Sequence, residues 1–519
     1  MLRSKTPSFI TELPLKTSTA DEVTLTIRFE AGKHLFNACM GESLRRLGLM
    51  RQSKDWQLIR EMPKFLGKDE KGKPVPNKER RDLIKRTIER FNFTAYSIQK
   101  YAEQCRDSCW IGNHLGSHDT QTLSLRAFSA VQMYAFGKGG RPRFKRHRGI
   151  NSIEGKGDTV IRYRSEPVKA IHWAGLVLPL ILDKKDKKEW QKQALSSKTK
   201  YVRVVRRKIK GNDRWYCQLV QEGAVPKVRE TKDDVVGLDI GPSTIAAVSG
   251  EDAILEQFCP SIEHPWKEIR RIQRGMDRSR RATNPDNYNE NGTVKKGKKR
   301  WIRSERYKRR QRHKAELERR LASERRRSHG ELVNRIFAQG TTVKTEKLSY
   351  RAFQNNYGRS VTVRAPGMLV SELRRKAVSA GGKVIEIKTR NTKLSQLDHT
   401  TEQYVKKPLN QRIHIFGDGT TEPVQRDLYS AFLAMCCSQD SLDIGQVKKT
   451  WPSAEPLLRR AMLRVNEPTS GEGFPLSHVL CNVREGRPSK KDSRSVEAID
   501  VVAQARAIER LNNGTFKIL

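Results

Sequence analysis

A single acid constrains the middle of the chain. Residues 235–240 read VVGLDI, a short apolar run that ends at Gly241-Pro242, and Thr244 to Ser249 (TIAAVS) follows. The pattern predicts two strands joined by a tight turn. Asp239 interrupts the first of them, between Leu238 and Ile240, with Gly237 and Gly241 around it. A carboxylate in an apolar strand is costly to bury unless something cancels its charge. A divalent cation does so. Two further acids stand at element ends: Glu346 closes the strand of residues 341–346 (TTVKTE), and Asp427 opens a helix over 425–437 (QRDLYSAFLAMCC). Three carboxylates from distant parts of a chain can hold two Mg²⁺ or Mn²⁺ ions, which activate a water and stabilise the leaving oxygen in phosphodiester cleavage. Hard oxygen ligands suit those ions and not zinc. Taken singly, each acid has a plainer reading, since Asp often forms turns at strand ends and Glu there is often exposed.

Charge narrows the partner. The 519 residues hold 103 Lys+Arg and 58 Asp+Glu, so 103 − 58 = +45. An enzyme for small neutral metabolites has no use for such self-repulsion, whereas a protein that neutralises phosphates does. Membrane and secretion readings fail. The N-terminus has no apolar run of signal-peptide length, and the longest apolar stretch, Trp173 to Leu182, is ten residues with Pro179 inside it. Eight cysteines, with Cys39, Cys217, Cys259 and Cys481 isolated, form no disulfide framework, so a reducing compartment is expected.

Patterning then divides the chain. Val23, Leu25, Ile27 and Phe29 alternate with polar residues, which predicts a strand over 23–29. From Lys33 the spacing turns helical, with further helices over 79–106 and from about Asp119, so residues 31–135 read as a helical block. The run GKGGRPRFKRHRG then places six cations (Lys138, Arg141, Arg143, Lys145, Arg146, Arg148) and no acid in residues 138–148. Strands follow at 159–163, 175–182, 201–208 and 215–221, an antiparallel β-barrel or sandwich to which the 23–29 strand would belong. Residues 267–338 are helical and basic around a breaker-rich loop at 282–297. Within 295–328 there are 17 Lys/Arg and 4 Glu, a net of +13. A solvated helix is the common meaning of a charge run. Here four acids cannot balance the cations by i,i+4 pairing, so a polyanion-facing helix is favoured. A helix at 366–380, strands at 383–388 and 411–416, and helices at 455–464 and 494–511 complete the pattern.

At this point the chain resembles a family. GLDIGPSTIAAVS, VKTEKLSYRAF and QRDLYSAFLA are similar to the three motifs of a split RuvC-like nuclease, as in TnpB, the transposon-encoded RNA-guided endonuclease, and the miniature type V CRISPR effectors derived from it. GRPRFKRHRG, RAPGMLVSELRRKA and KVIEIKTRNTKLSQ match its surroundings, and the resemblance covers most of residues 20–437. It implies a multidomain α+β and α/β chain: a β-barrel wedge domain (1–30 and 136–230) interrupted by a helical recognition lobe (31–135). An RNase H-like (RuvC) nuclease domain (231–437) follows, with the basic insertion at 267–338 and a degenerate zinc-ribbon region at 395–424. A helical extension (438–519) closes the chain. Carried over, Asp239, Glu346 and Asp427 are the catalytic acids and hold two Mg²⁺ or Mn²⁺ ions. The implied partners are a guide RNA and a double-stranded DNA target, read partly by pairing and partly by a short adjacent motif. A prokaryotic cytosol is expected and no membrane, with the oligomeric state open and a monomer favoured over a dimer.

One departure matters. The family's four-cysteine ribbon is missing, because no cysteine lies between Cys259 and Cys436, so zinc is not expected. That loss and the length favour a CRISPR-associated descendant. Asp398, His399, His414 and Asp418 form a makeshift alternative set, and Cys105, Cys109, His114 and His118 have ligand-like spacing. Structural zinc prefers cysteine, and plain packing explains two cysteines one turn apart. The nucleic-acid contacts expected are Arg141, Arg143, Lys145, Arg146 and Arg148 beside the β-domain, and Arg300, Arg303, Lys308, Arg309 and Arg310 in the basic helix. Trp110, Trp173, Trp301 and Tyr307 are candidate base-stacking rings, although an isolated Trp more often packs. Two other functions compete: guided DNA binding without cleavage, and a basic structural RNA-binding protein, which leaves Asp239 unexplained.

Overall fold

A capping box starts the first helix where a strand is expected. The computed structural model describes residues 6–464 apart from 71, 147–148, 156–158, 187–188, 227–230, 298, 409–410 and 439–440. In it, the Ser18 hydroxyl accepts from the Asp21 amide (3.2 Å) and the Asp21 carboxylate accepts from the Ser18 amide (2.9 Å). A short strand β1 (Ser8–Pro14) precedes it, and α1 runs Thr19–Gln52. Leu25, Phe29, Gly32, Phe36, Cys39, Ser43, Leu47 and Met50 are all buried, at steps of three and four. That is one helical stripe. The alternation at 23–29 is its local overlap with period two: Leu25 and Phe29 are fully buried, while Val23 and Ile27 are 55% and 38% exposed. The strand expected over 23–29 is therefore helix, and among the described residues of the first 30 the strand is β1, followed by the bridge at Leu15.

The chain divides into two compact units, Met1–Val228 and Arg229–Leu519. In the first, α1 is followed by α2 (Lys54–Glu61), the β2–β3 ladder (Phe65–Lys68, Pro74–Pro76), α3 (Lys78–Arg90), α4 (Ala95–Asp107) and α5 (Ser117–Ala135). The single helix expected at 79–106 is two, because Asn92 adopts φ 51° and Thr94 caps α4 through the Ser97 amide (3.1 Å). Then come β4 (Ser152–Glu154), β5 (Ile161–Arg164), β6 (Ala170–Trp173), β7 (Leu176–Pro179), α6 (Trp190–Ser196), β8 (Thr199–Ile209) and β9 (Asn212–Glu222). They form two antiparallel sheets, ordered β1-β9-β8-β4 and β5-β6-β7, with a bridge between Leu15 and Leu180 joining the ends of β1 and β7. α1 shares one core with both sheets. Phe29 meets Trp215 edge-on at 5.0 Å and Trp173 at 6.5 Å. Arg28 enters that core and donates to the carbonyls of Trp173 (2.7 Å) and Ala174 (2.6 Å).

The second unit begins with β10 (Val235–Ile240), β11 (Thr244–Val248) and β12 (Ala253–Gln257), then α7 (Trp266–Thr283) and α8 (Glu305–Gln339). β13 (Thr342–Glu346), α9 (Tyr350–Arg364), α10 (Pro366–Ala380), β14 (Lys383–Ile387) and α11 (Thr389–Thr392) follow. Next are two short ladders, β15–β16 (Leu397–Asp398, Gln403–Tyr404) and β17–β18 (Ile413–His414, Val424–Gln425), then α12 (Arg426–Met435) and α13 (Ile444–Arg464). The strand expected at 411–416 shrinks to two residues, and the helix expected at 455–464 is the end of α13. The helix expected at 494–511, Cys481 and the rest of 465–519 lie outside the described residues. Residues 295–297 and 299–304 precede α8 and are not helical, and the basic helix starts at Glu305.

One five-stranded sheet carries this unit, in the order β12-β11-β10-β13-β14. β10 runs antiparallel to β11 and parallel to β13. Strand parity sorts the residues between two faces. Val236, Leu238, Ile240, Ile245, Ala247 and Val343 pack with α8 and α10. Ala246 and Val248 pack with α12 and α13. Gly237 and Asp239 on β10, and Lys344 and Glu346 on β13, have the parity of the α12 face.

The helical assignment of residues 19–30 is testable. Leu25→Ala is expected to cost roughly 2–5 kcal/mol and Val23→Ala less than about 0.5 kcal/mol, by chemical denaturation. Equal costs would contradict it, because a strand places both side chains on one face.

Candidate nuclease centre

Strand register brings the first two acids together. The last registered pair between β10 and β13 is Leu238 with Thr345, and the next residue on each strand is Asp239 and Glu346. The third acid arrives on α12. Gly237 admits that helix: a Cβ built there would lie 1.9 Å from the Ala431 carbonyl oxygen and 2.5 Å from the Met435 nitrogen. Lys344, two residues before Glu346, fixes the far end of α12 by donating to the carbonyls of Met435 (2.8 Å) and Cys437 (2.6 Å). Asp427 sits in the first turn, buried, with Thr244 donating to its Oδ2 at 2.8 Å. Arg412 and Arg426 stand 3.8 Å and 3.9 Å from its Oδ1.

Asp239 lies within electrostatic reach of the other two acids. Asp239 is raised well above the ordinary carboxylate range, first by burial, then by Asp427 and Glu346, against the opposing pull of Arg426 and Arg412. Burial pushes Glu346 up to about 7. Like charges held in a partly desolvated place resist joint ionisation. An all-oxygen donor set under mutual repulsion is chemically suited to a hard divalent cation. The spacing stops short of that: among the described residues, no three His, Cys, Asp or Glu side chains are gathered at metal-holding distance.

Several contributors escaped the sequence reading: Gly237, Thr244, Lys344, Arg412 and Arg426. Lys344 carried a signal, since it shares strand parity with Glu346.

The two alternative metal sets are not assembled. Asp398 accepts from the Thr400 amide (3.0 Å) and hydroxyl (2.7 Å) and from the Gly417 amide (2.7 Å). Burial alone would raise its pKa, but these bonds hold it below the usual range. His399 Nδ1 meets the Tyr429 hydroxyl at 2.8 Å, and His414 contacts Lys407. Burial, then the Lys407 charge, lower His414 to about 3. Asp418 accepts from Thr420 and Thr421. Instead of a ligand set, the described part of 395–424 rests on rings: His399, His414, Phe416, Tyr429 and Trp451 lie at centroid separations of 4.3–5.9 Å. In the first unit the Cys109 thiol donates to the Cys105 carbonyl (3.0 Å), the His114 ring packs on Trp110, and His118 Nδ1 meets the Thr159 hydroxyl (2.6 Å).

The expected nucleic-acid contacts divide. Arg141, Arg143, Lys145 and Arg146 stand exposed, and Arg148 lies outside the described residues. Asn37 of α1 clamps their loop by exchanging two 2.8 Å bonds with the Lys145 backbone. In the second unit Arg300, Arg303, Lys308 and Arg309 are exposed. Arg310 is not, because it reaches α7, packs over Gly275 and donates to its carbonyl (2.9 Å). That role is structural. Trp173 is also removed from the stacking set: it is buried, and its indole N–H donates to Asp119 (3.2 Å). Trp110 and Trp301 are exposed at 46% and 38%, and Tyr307 is half-buried. Among the described residues no helix is long and apolar enough to cross a membrane.

No protein-family model matches the chain, and no curated protein matches it at a significant level. Solved structures do. The chain is similar to a cryo-EM structure of the Cas12f1–sgRNA–target DNA complex, with 12% identity and a TM-score of 0.38 over 83% of this chain and 98% of that one. It is also similar to a cryo-EM structure of a CRISPR-Cas12f ternary complex, with 13% identity and a TM-score of 0.24 over 82% and 98%.

The raised carboxyls give a pH signature. Folded Glu346 holds its proton more tightly than an unfolded Glu, whose pKa is about 4.3. The stability this gives is present below about pH 4 and is lost as pH rises through about 7. Cation-free protein should lose Tm across that window, Glu346→Gln should flatten the loss, and Mg²⁺ at pH 8 should raise Tm more in the unsubstituted chain. Equal slopes and equal Mg²⁺ responses in thermal melts would contradict this.

Proposed function

We propose that this chain is an RNA-guided DNA endonuclease of the miniature type V kind, cutting with an RNase H-like domain at residues 231–437. The observation that carries the reading is the placement of Asp239, Glu346 and Asp427, from three distant motifs, on one sheet face and within electrostatic reach. The sheet supports it: three antiparallel strands followed by two parallel ones are what a split RNase H-like domain requires.

In this reading the three acids hold divalent cations, which supply water activation and charge neutralisation at the scissile phosphate when bound. The chain's own groups do the positioning. Thr244 fixes the Asp427 carboxylate by its hydroxyl. Arg412 and Arg426 offset negative charge beside it. Lys344 and Gly237 hold α12 against the strands. Exposed cations at 141–146 and 300–309 neutralise phosphates of the guide and its hybrid with the target. The β-sheets of the first unit act as the wedge and its helices as the recognition lobe.

A second reading keeps guided binding and drops cleavage. It draws on the acid spacing, which does not close into a ligand set.

One experiment separates them. With guide RNA, matched DNA and Mg²⁺, the chain should cut, and Asp239→Ala should lose at least ~10²-fold in rate while still binding target. Guide-dependent binding without cleavage supports the second reading. Cleavage unchanged in Asp239→Ala would overturn the first.

A further inference from the structure

The loop between α7 and α8 is built to display, not merely to connect. Its own asparagines brace it. The Asn284 amide donates to the Ile302 carbonyl (2.9 Å), and the Ile302 N–H donates back to Asn284 Oδ1 (2.7 Å). Asn287 donates to the Arg300 carbonyl (2.9 Å), and Asn289 to the Thr293 hydroxyl (2.9 Å). Backbone bonds from Asn289 to Thr293 and from Lys295 to Asn287 close the turn.

This bracing leaves apolar groups outside. Val294 is 46% exposed, Trp301 38% and Ile302 57%. The Trp301 ring meets Tyr288 edge-on at 5.8 Å and lies 5.4 Å from the Arg280 guanidinium, so it is held without being covered. A single exposed Trp needs no explanation. Its surroundings do. Residues 291–304 contain six Lys/Arg and no acid, and Lys295, Lys296, Arg300 and Arg303 are exposed. A held aromatic face on a run of six cations, in a loop whose acids are only Asp286 and Glu290, complements a polyanion that also offers flat apolar faces. An unpaired nucleic acid strand has both, whereas a duplex keeps its base faces stacked inside. Every base has a π-face, so such a site is sequence-tolerant. The bracing asparagines are engaged within the loop, which leaves recognition to the ring and the cations and gives no basis for telling ribose from deoxyribose.

We propose that the α7–α8 loop is a stacking site for an unpaired nucleic acid strand, with a base on Trp301 and neighbouring phosphates on Lys295, Lys296, Arg300 and Arg303. It rests on the nucleic-acid partner of the preceding reading and not on its cleavage chemistry.

Photo-crosslinking of the full chain to short single strands carrying 5-iodouracil tests it, followed by mass mapping, in salt high enough to weaken plain phosphate contacts. Crosslinks should fall at Tyr288 or Trp301, from DNA and RNA alike. Trp301→Ala should weaken binding of a normal strand about tenfold and leave an abasic strand of the same length almost unchanged, while Trp301→Phe keeps most of the affinity. Circular dichroism on each variant secures the comparison. Crosslinks only outside residues 284–304, or equal losses for normal and abasic strands, would overturn the proposal. So would a Trp301→Ala defect confined to anionic phosphatidylserine vesicles, which would make the loop a membrane contact. Absence of cleavage leaves these binding readouts standing, so the two readings fail separately.

Discussion

How closely α12 lies on β10 governs the rest of the second unit. The helix backbone approaches until only a hydrogen fits at Gly237, since a methyl group there would overlap the Ala431 carbonyl. No flexible side chain is available to yield, because the opposing atoms are backbone. Lys344 holds the other end on the carbonyls at the helix C-terminus, where a cation is favoured by the helix dipole. With both points fixed, Asp427 in the first turn faces the strand ends that carry Asp239 and Glu346. The cost is electrostatic. Burial raises both Asp239 and Glu346, and at Asp239 the charges of Asp427 and Glu346 add to it.

Charge is handled differently along α8. Glu305, Glu316, Glu318 and Glu324 each pair with a cation three or four residues away. Exposed pairs of this kind stabilise the helix only slightly. Seventeen cations against four acids over 295–328 leave a strongly positive surface whatever the pairing. Only part of that charge faces solvent: Arg310 bridges to α7, and Arg325 donates to the carbonyls of Val363 (2.6 Å) and Thr362 (2.7 Å). Basic composition thus builds the scaffold as well as the ligand surface.

Four of the central sheet's five strands were legible in the sequence, and the edge strand β12 (Ala253–Gln257) was not. VVGLDI, TIAAVS, TTVKTE and KVIEIK all became strands, and each acid kept its expected place at or near an element end. The N-terminal helix was misread because Leu25 and Phe29 satisfy both a two-residue and a four-residue spacing, and only the capping box at Ser18 and the longer stripe to Met50 decide between them. The Trp173 and Arg310 roles were hidden for another reason. Burial of one indole and the reach of one guanidinium depend on elements far away in sequence, which local composition does not encode. The ring packing at residues 395–424 was invisible for the same reason: His399 and His414 read as ligands by type, and only their distance from Tyr429 and Trp451 shows them as core.

The claim that matters most is that Asp239, Glu346 and Asp427 act as one cation site. Electron paramagnetic resonance of Mn²⁺ titrated into the full chain tests it most directly, on the unsubstituted protein and on Asp239→Asn, Glu346→Gln and Asp427→Asn. Expected is a bound Mn²⁺ signal that each single substitution removes or weakens at least about tenfold, because each acid would be one of the few ligands of a shared site. Mn²⁺ binding that survives unchanged in all three variants would contradict it.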